Sequence, residues 1–419
     1  MAGPEISIAQ TLYVITEAHP ETIPVFVDAG FPHMSDPGQR ERLGGRVTLA
    51  QAAVAKGREP EALLKDLQAA VVAATRGEDL TLAQVDESQM FPDHGDIKVA
   101  GLLPCPVRIP LLEAFDKERI RVEQAHGVSV GHRMAAASVG MDVVEKEMAR
   151  LRTEADLPDI FLSAGFEAFF DHKNLRRFKD RGIFVDRSWP VTNPAFDGLQ
   201  LKDPDGHFAM IGVVPAVFLV DSQQLAEGEA APRSWADLLS PRMEKRIALP
   251  VGDFDLFNGI LLTIWKHFGD DGIRSLSRNL LKSLHPSQAA GRFKATKGEV
   301  PTVSVIPYFF SRMAKMNPKV EVVWPSDGAI ISPIFMLEQT KNGVAAKELA
   351  DVFLSREAGE ILAHKGLFPS LHPDVVNELP DPAPWLWLGW DFVREHDLGV
   401  MIPRMLEIFN DPDNGGGAS

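Results

Sequence analysis

From Asp96 onward the chain switches between two hydrophobic periods, and this alternation constrains its fold more than any other feature. Short β-prone runs at 97–103, 160–163, 213–220, 247–250, 303–306 and 320–324 are interleaved with amphipathic helical segments at 141–152, 257–268, 273–284 and 345–364. Strands separated by helices of that length are joined by crossovers, so the pattern predicts an α/β fold with mostly parallel sheets. No internal repeat with the period of a solenoid or propeller is present.

The preceding residues follow a different pattern. Between 8 and 70, Ile8, Leu12, Ile15, Leu49, Ala52, Ala53, Leu63, Leu64 and Leu67 recur at helical spacing. Thr48 with Gln51 three residues later is a capping-box signature, and Pro20, Gly30 to Pro32 and Asp36 to Gly38 punctuate the connections. Residues 1–75 are therefore expected to form a small all-α domain. The turn-rich stretch 76–95, with Arg76-Gly77 and Asp93-His94-Gly95, reads as its linker.

Charge and cysteine content remove several function classes. Lys and Arg number 43 against 58 Asp and Glu, a net charge of −15, which argues against a nucleic acid or anionic lipid partner. The single cysteine, Cys105, excludes an internal disulfide, a zinc site needing two thiolates and a cysteine-held iron–sulfur cluster, and it fits a reducing compartment. The first basic residue is Arg40, so the basic start of a secretory signal is not seen. The apolar runs at 212–220 and 330–337 are shorter than the roughly 18 residues of a membrane span and contain proline. The expectation is a cytoplasmic protein without a membrane span.

The order of several stretches carries a resemblance. They are Leu102 to Pro106, Pro158 to Ser163, Val213 to Val220, Pro232 to Pro241, Val303 to Tyr308, Val323 to Ala329, and Ala358 to Leu362 followed by Gly366 to Pro369. Residues 96–375 resemble the type II periplasmic-binding-protein family, the substrate-binding components of ABC importers. The resemblance implies a two-lobed α/β fold with a small polar or anionic ligand in the interlobe cleft, hinge closure and no turnover. Lobe 1 is expected at 96–211 plus 326–410, lobe 2 at 212–325, and a disordered tail at 411–419. Closure should involve the crossovers near 208–213 and 324–330. The helical pattern from Thr11 to Leu64 resembles a small domain of unknown function found beside redox proteins of anaerobes. Pro32-His33-Met34 stands where its cysteine-bearing form has thiols, which leaves packing or docking of a protein partner as its role.

In open α/β sheets ligands sit beyond the carboxyl ends of strands, at loops feeding helix N-termini. Four loops qualify. In the first, Pro104 and Pro106 fix φ on either side of Cys105 with Arg108 beside it; the cysteine is either an activated thiol or a small residue packed at a strand end. In the second, Ser163 is a hydrogen-bond donor and Phe166 a surface for a flat ligand, unless the loop is a plain helix entry. In the third, Ser287 fits an N-cap and Gln288 faces either solvent or cleft. In the fourth, Tyr308-Phe309 occupies the place where the iron-binding branch of the family has a tyrosine pair. With only Tyr13 and Tyr308 in the chain, a ferric tyrosine dyad from one lobe is excluded. The resemblance adds Asp327 to the ligand set. No metal motif is present, and no cofactor is expected.

Catalysis has weaker support. There is no Gly-x-Ser-x-Gly elbow, Walker loop or Gly-x-Gly-x-x-Gly, so a Cys105-dependent enzyme is the only nucleophilic alternative. Near the C-terminus, Trp385, Trp387 and Trp390 precede an amphipathic pattern from Phe392 to Ile408. That segment reads as an aromatic anchor packed over a lobe, or alternatively as a docking surface.

Overall fold

The computed structural model describes residues 6–19, 22–31, 34, 39–56, 59–76, 91–136, 151, 153–166, 168–171, 178–251, 254–283, 300–311 and 319–412. Ser287, Gln288, residues 77–90 of the expected linker, residues 413–419 of the expected tail and, but for Leu151, the core of the helix expected at 141–152 lie outside the described residues. The chain divides into two compact units, Met1–Val85 and Asp86–Ser419.

The first unit is helical: α1 (Leu12–Ala18), α2 (Ile23–Asp28), α3 (Leu49–Ala55) and α4 (Pro60–Arg76), with a π-helical turn at Arg40–Gly44. Local chemistry sets its helix starts. The Thr11 side chain accepts from Val14 N–H, while Thr48 and Gln51 exchange the two bonds of a capping box. Leu12, Ile15, Leu49, Ala52, Ala53, Leu63 and Leu67 form the core with Phe26, Phe31 and Met34; Ile8 and Leu64 are only partly buried. Helices this short are marginal alone, so this shared apolar core holds them.

The second unit is built on one mixed sheet. Its strands are β1 (Ile97–Leu103), β2 (Val130–Ala136), β3 (Ile160–Ala164), β4 (Phe208–Asp221), β5 (Ile247–Leu249), β6 (Leu280–Ser283), β7 (Val303–Pro307), β8 (Val320–Val323), β9 (Ala329–Glu338) and β10 (Trp385–Leu386). The order is β2-β1-β3-β9-β4-β7-β5-β6, with β10 also on β9 and β8 on β4. The expected parallel sheet is corrected here: β4 and β9 run antiparallel to each other, β9 is antiparallel to β3, and β4 is antiparallel to β7 and β8. Parallel pairing persists within the outer groups, β2-β1-β3 and β7-β5-β6.

Two lobes follow from this arrangement. The final residues of β9 lie between β3 and the start of β4, while the end of β4 continues beyond β9 to carry β7 and β8. The pair β4/β9 thus passes from one strand group to the other, with Gly212 opposite Ile334 and Ala216 opposite Ile330 across the middle. Both strands are buried along almost their whole length, which explains their unbroken apolar sequences. Pro215 and Pro333 stand in this stretch, where a central strand ordinarily excludes proline. Both fit for one reason. Val213 N–H donates to Pro369 O at 3.0 Å and Pro333 O accepts from Gly165 N–H at 2.8 Å, so backbone groups at these alternating positions point outward from the pair.

Helices cover the sheet. The principal ones are α5 (Cys105–His126), α7 (Phe254–Asn279), α8 (Val344–Leu354) and α11 (Leu398–Asn410); α6 (Trp235–Leu239), α9 (Arg356–Glu360) and α10 (Trp390–Glu395) are short. α7 is one run bent at Gly269 (φ 64°) and ends at Asn279, so the helix expected through 284 gives way to β6. The C-terminal aromatics pack as an anchor. Trp385 Nε1 donates to Ala195 O, Trp390 Nε1 donates to Leu201 O, and Phe257 meets Phe409 edge to face.

Candidate functional site

The loops of both lobes meet beside the β4/β9 crossover. From the first lobe, β1 runs through Pro104 directly into α5, whose first turn has no side-chain cap and includes Pro106. The segment 366–371 seats on this turn: a Cβ on Gly366 would fall 2.5 Å from both Val107 Cγ1 and the Phe368 ring, so only glycine allows that approach. The same segment pairs with β4, through Val213 N–H to Pro369 O and Leu371 N–H to Ile211 O. Asn193 fixes its continuation by donating to the carbonyls of His372 and Val375.

The second lobe contributes the turn after β7, Tyr308–Phe310. Phe309 stacks toward Phe368 with centroids 6.3 Å apart, which brings the second lobe to the α5 turn of the first. Tyr308 meets Trp324 edge to face at 5.3 Å, and Trp324 meets Trp385 at 5.0 Å. Trp324 Nε1 donates to Pro384 O, which ties this aromatic row to β10 beside the start of β9.

The residues expected in the site divide into those on the elements that border this region and those committed elsewhere. Cys105 is the first residue of α5, one position earlier than a helix starting after it, and Arg108 lies half-buried in the same turn. Tyr308 is half-buried at the opposite wall. Ser163 is the penultimate residue of β3 and fully buried, and its hydroxyl has no hydrogen-bond partner among the described residues. Phe166 belongs to the core, its ring 5.2 Å from Phe170 and 5.9 Å from Trp387, which leaves no open face for a flat ligand. Asp327 accepts from the N–H groups of Trp235 and Ala236, so its carboxylate caps α6. Phe309 stood beside Tyr308 in the fourth loop, whereas sequence reasoning did not single out Phe368 and Gly366 as wall residues; their stretch, Gly366 to Pro369, entered only through the resemblance.

Among the described residues, no group of three or more His, Cys, Asp or Glu side chains is placed to hold a metal ion. Among the same residues, no helix is long and apolar enough to cross a membrane. The elements bordering the crossover carry an uncapped helix start with Arg108 in its first turns, Tyr308, and the facing rings of Phe309 and Phe368. Such a set suits a polar or anionic organic molecule better than a hard cation.

Residues 155–396 match the model of the family described as bacterial extracellular solute-binding protein. The chain belongs to this family. Residues 6–64 of this solute-binding protein match a domain of unknown function, DUF1858. Similar folds include the periplasmic binding protein P5PA, with 18% identity over 74% of this chain and 98% of that one and a TM-score of 0.50. Apo ferric ion-binding protein A of Pasteurella haemolytica is also similar, with 12% identity over 76% and 98% of the two chains and a TM-score of 0.52. At such identities the likeness shows the two-lobed fold. No curated protein matches the chain in sequence.

Proposed function

We propose that the unit 86–419 binds a small polar or anionic molecule in the cleft between its lobes and releases it unchanged. The observation that carries this reading is the meeting of Phe309 with Phe368 over the first turn of α5: walls from both lobes close on an uncapped helix start. Arg108 supplies the charge contact and Tyr308 a hydrogen bond. Ser163 joins them as a buried hydroxyl with no hydrogen-bond partner among the described residues. Ferric ion is the competing ligand, since a ferric ion-binding protein shares the fold. This chain offers the cleft a single phenol, Tyr308, with Phe309 beside it.

Titration with a panel of carboxylates, sugar phosphates, oxyanions and ferric ion tests the reading. One organic anion or oxyanion should bind saturably and reappear unaltered. Binding should also change tryptophan emission, because Tyr308 contacts Trp324, and the change should shrink in Trp324→Phe. Arg108→Ala should weaken affinity by about tenfold or more, the loss of one charge-assisted contact. A coloured protein carrying one iron per chain, bleached by Tyr308→Phe, would overturn the assignment. Product formation abolished by Cys105→Ser would do the same.

The helical unit has its own core, and we assign it the docking of a protein partner. Removing residues 1–85 should leave cleft affinity within a few fold, since the second unit carries its core and cleft walls itself. A folded truncation that loses all ligand binding would reject this division of labour.

A further inference from the structure

The segment 366–377 lies along β4 at the crossover and is folded back on itself there. Pro369 O and Leu371 N–H pair with Val213 and Ile211, and Ser370 stands opposite Gly212. Ser370 N–H and O bond the Asn377 side chain, while the Ser370 hydroxyl accepts from His372 N–H. Asn193 grips the other side through the carbonyls of His372 and Val375. α9 presses on the same turn: a Cβ on Gly359 would fall 2.8 Å from Ser370 Oγ and 3.1 Å from His372 Cβ.

One bond of this turn depends on a titratable acceptor. Nδ1 of the buried His372 accepts from Asp374 N–H at 3.1 Å. A backbone N–H only donates, so Nδ1 carries the lone pair and the neutral ring has its hydrogen on Nε2. A second proton has one place to go, Nδ1, where it would point at the hydrogen of Asp374. The bond is therefore lost whenever the ring is charged. Serine hydroxyls, amides and carbonyls make the other bonds named above, and none of these titrates between about pH 5 and 8. His364 offers the contrast. Its Nε2 lies 2.9 Å from Val376 O, to which it donates, and a charged ring keeps that bond.

The surroundings favour the neutral ring at ordinary pH. Burial pushes the His372 imidazole below its usual 6.5; Asp374 and Glu360 favour the proton, and Arg356 opposes it. On α9, Arg356 and Glu360 pair with each other, Nε to Oε1 at 2.8 Å, so their effects on the ring largely cancel. The stretch 189–193 presents uncharged side chains, Trp189 edge to face with the ring and Asn193 on the backbone. For a base depressed by folding, the neutral form's contribution to stability is complete above the unfolded value and falls away as pH drops below it.

We propose that His372 is a proton-operated latch on the crossover between the lobes. Neutral, it keeps 366–377 folded against β4; protonated, it drops the Asp374 bond and lets the segment loosen beside the strands that join the lobes. The same segment carries Phe368, the first lobe's ring against Phe309. The latch acts whatever the cleft binds.

Hydrogen exchange of the full chain, read by peptide mass spectrometry and corrected for the intrinsic effect of pH, tests the latch. Between about pH 7.5 and about pH 5 the peptide covering 366–377 should lose protection about tenfold or more, while α11 keeps its own. His372→Asn places a carbonyl oxygen that does not titrate where it can accept from the N–H two residues on. This variant should match the wild type at the higher pH and hold its protection at the lower. Should it fail to fold, imidazole nitrogen NMR of the wild type decides: the hydrogen should sit on Nε2 at neutral pH, and His372 should titrate in step with the loss of protection. The latch is disproved if acid leaves 366–377 protected, if every peptide loses protection together, if His372→Asn loses it as the wild type does, or if the neutral ring carries its hydrogen on Nδ1.

Discussion

Arg187→Ala should lower the unfolding free energy by about 3–5 kcal/mol, the cost of leaving a buried charge without its partner. The charge is Glu338, the last residue of β9 and fully buried. Its Oε2 accepts from Arg187 Nε at 2.8 Å, whereas Oε1 has no partner among the described residues. Arg187 also donates to Asp351 and to Lys347 O, so it ties the end of the crossing strand to α8. Burial already pushes the Glu338 carboxyl above its ordinary value, against the pull of Arg187. Without the arginine that rise increases. A glutamate raised in the folded state is penalised while ionised, so the deficit should narrow as pH falls toward the ordinary glutamate range near 4.5. Glu338→Gln introduced into Arg187→Ala should recover part of the loss for the same reason. Urea unfolding measures all three variants, and a deficit below about 1 kcal/mol would show that water or a neighbour satisfies Glu338.

Lys179→Met should act in the opposite direction, stabilising the protein at pH 7 by about 2 kcal/mol. The lysine amine lies 4.4 Å from the centroid of the Phe208 ring and makes no ion pair among the described residues. Desolvation lowers its pKa from 10.5 to about 8, opposed by the charges of Asp203, Asp205 and Asp180. That shift corresponds to roughly 3 kcal/mol, of which the cation–π contact offsets about 1. For a base depressed in the folded state the penalty is complete below the folded pKa and disappears above the unfolded one. The advantage of methionine should therefore be constant below pH 8, fade between about 8 and 10.5, and vanish beyond. Wild-type stability should rise over the same window. A pH-independent difference between the two proteins would disprove the account.

What was readable in the sequence follows from how local each signal is. The capping box of Thr48 and Gln51 lies within four residues and emerged as expected. The six β-prone runs each coincide with a strand, since β-branched residues bounded by turns are a local pattern. β9 reads in the sequence as an apolar run without a strand signature, because burial on both faces erases alternation. β2, with Gly131, His132 and Arg133 at the sheet edge, lacks any pattern at all. Chain direction was the least legible feature: nothing within Ala329–Glu338 says that it runs against β3, so the sheet was expected to be parallel. In the site, Arg108 and Tyr308 were reachable from the loops that hold them. Asp327 and Phe166 lay in equally suggestive loops, yet one side chain turned to α6 and the other to the aromatic core. Those directions are set by partners far away in sequence, as is the pairing of Phe309 with Phe368.

The two prolines of the crossing strands limit how far each lobe can extend its sheet. Because the positions of Pro215 and Pro333 face outward, β3 ends its ladder on β9 at Ile334, next to Pro333, and β7 begins its ladder on β4 at Ala216, next to Pro215. An amino acid with an N–H at either place would offer a donor for one more rung. Proline offers none, so a stretch of β4 and β9 stays a ribbon two strands wide between two broad sheets. A ribbon twists and flexes more readily than a wide sheet. A narrow waist of this kind is where deformation between the two strand groups would concentrate.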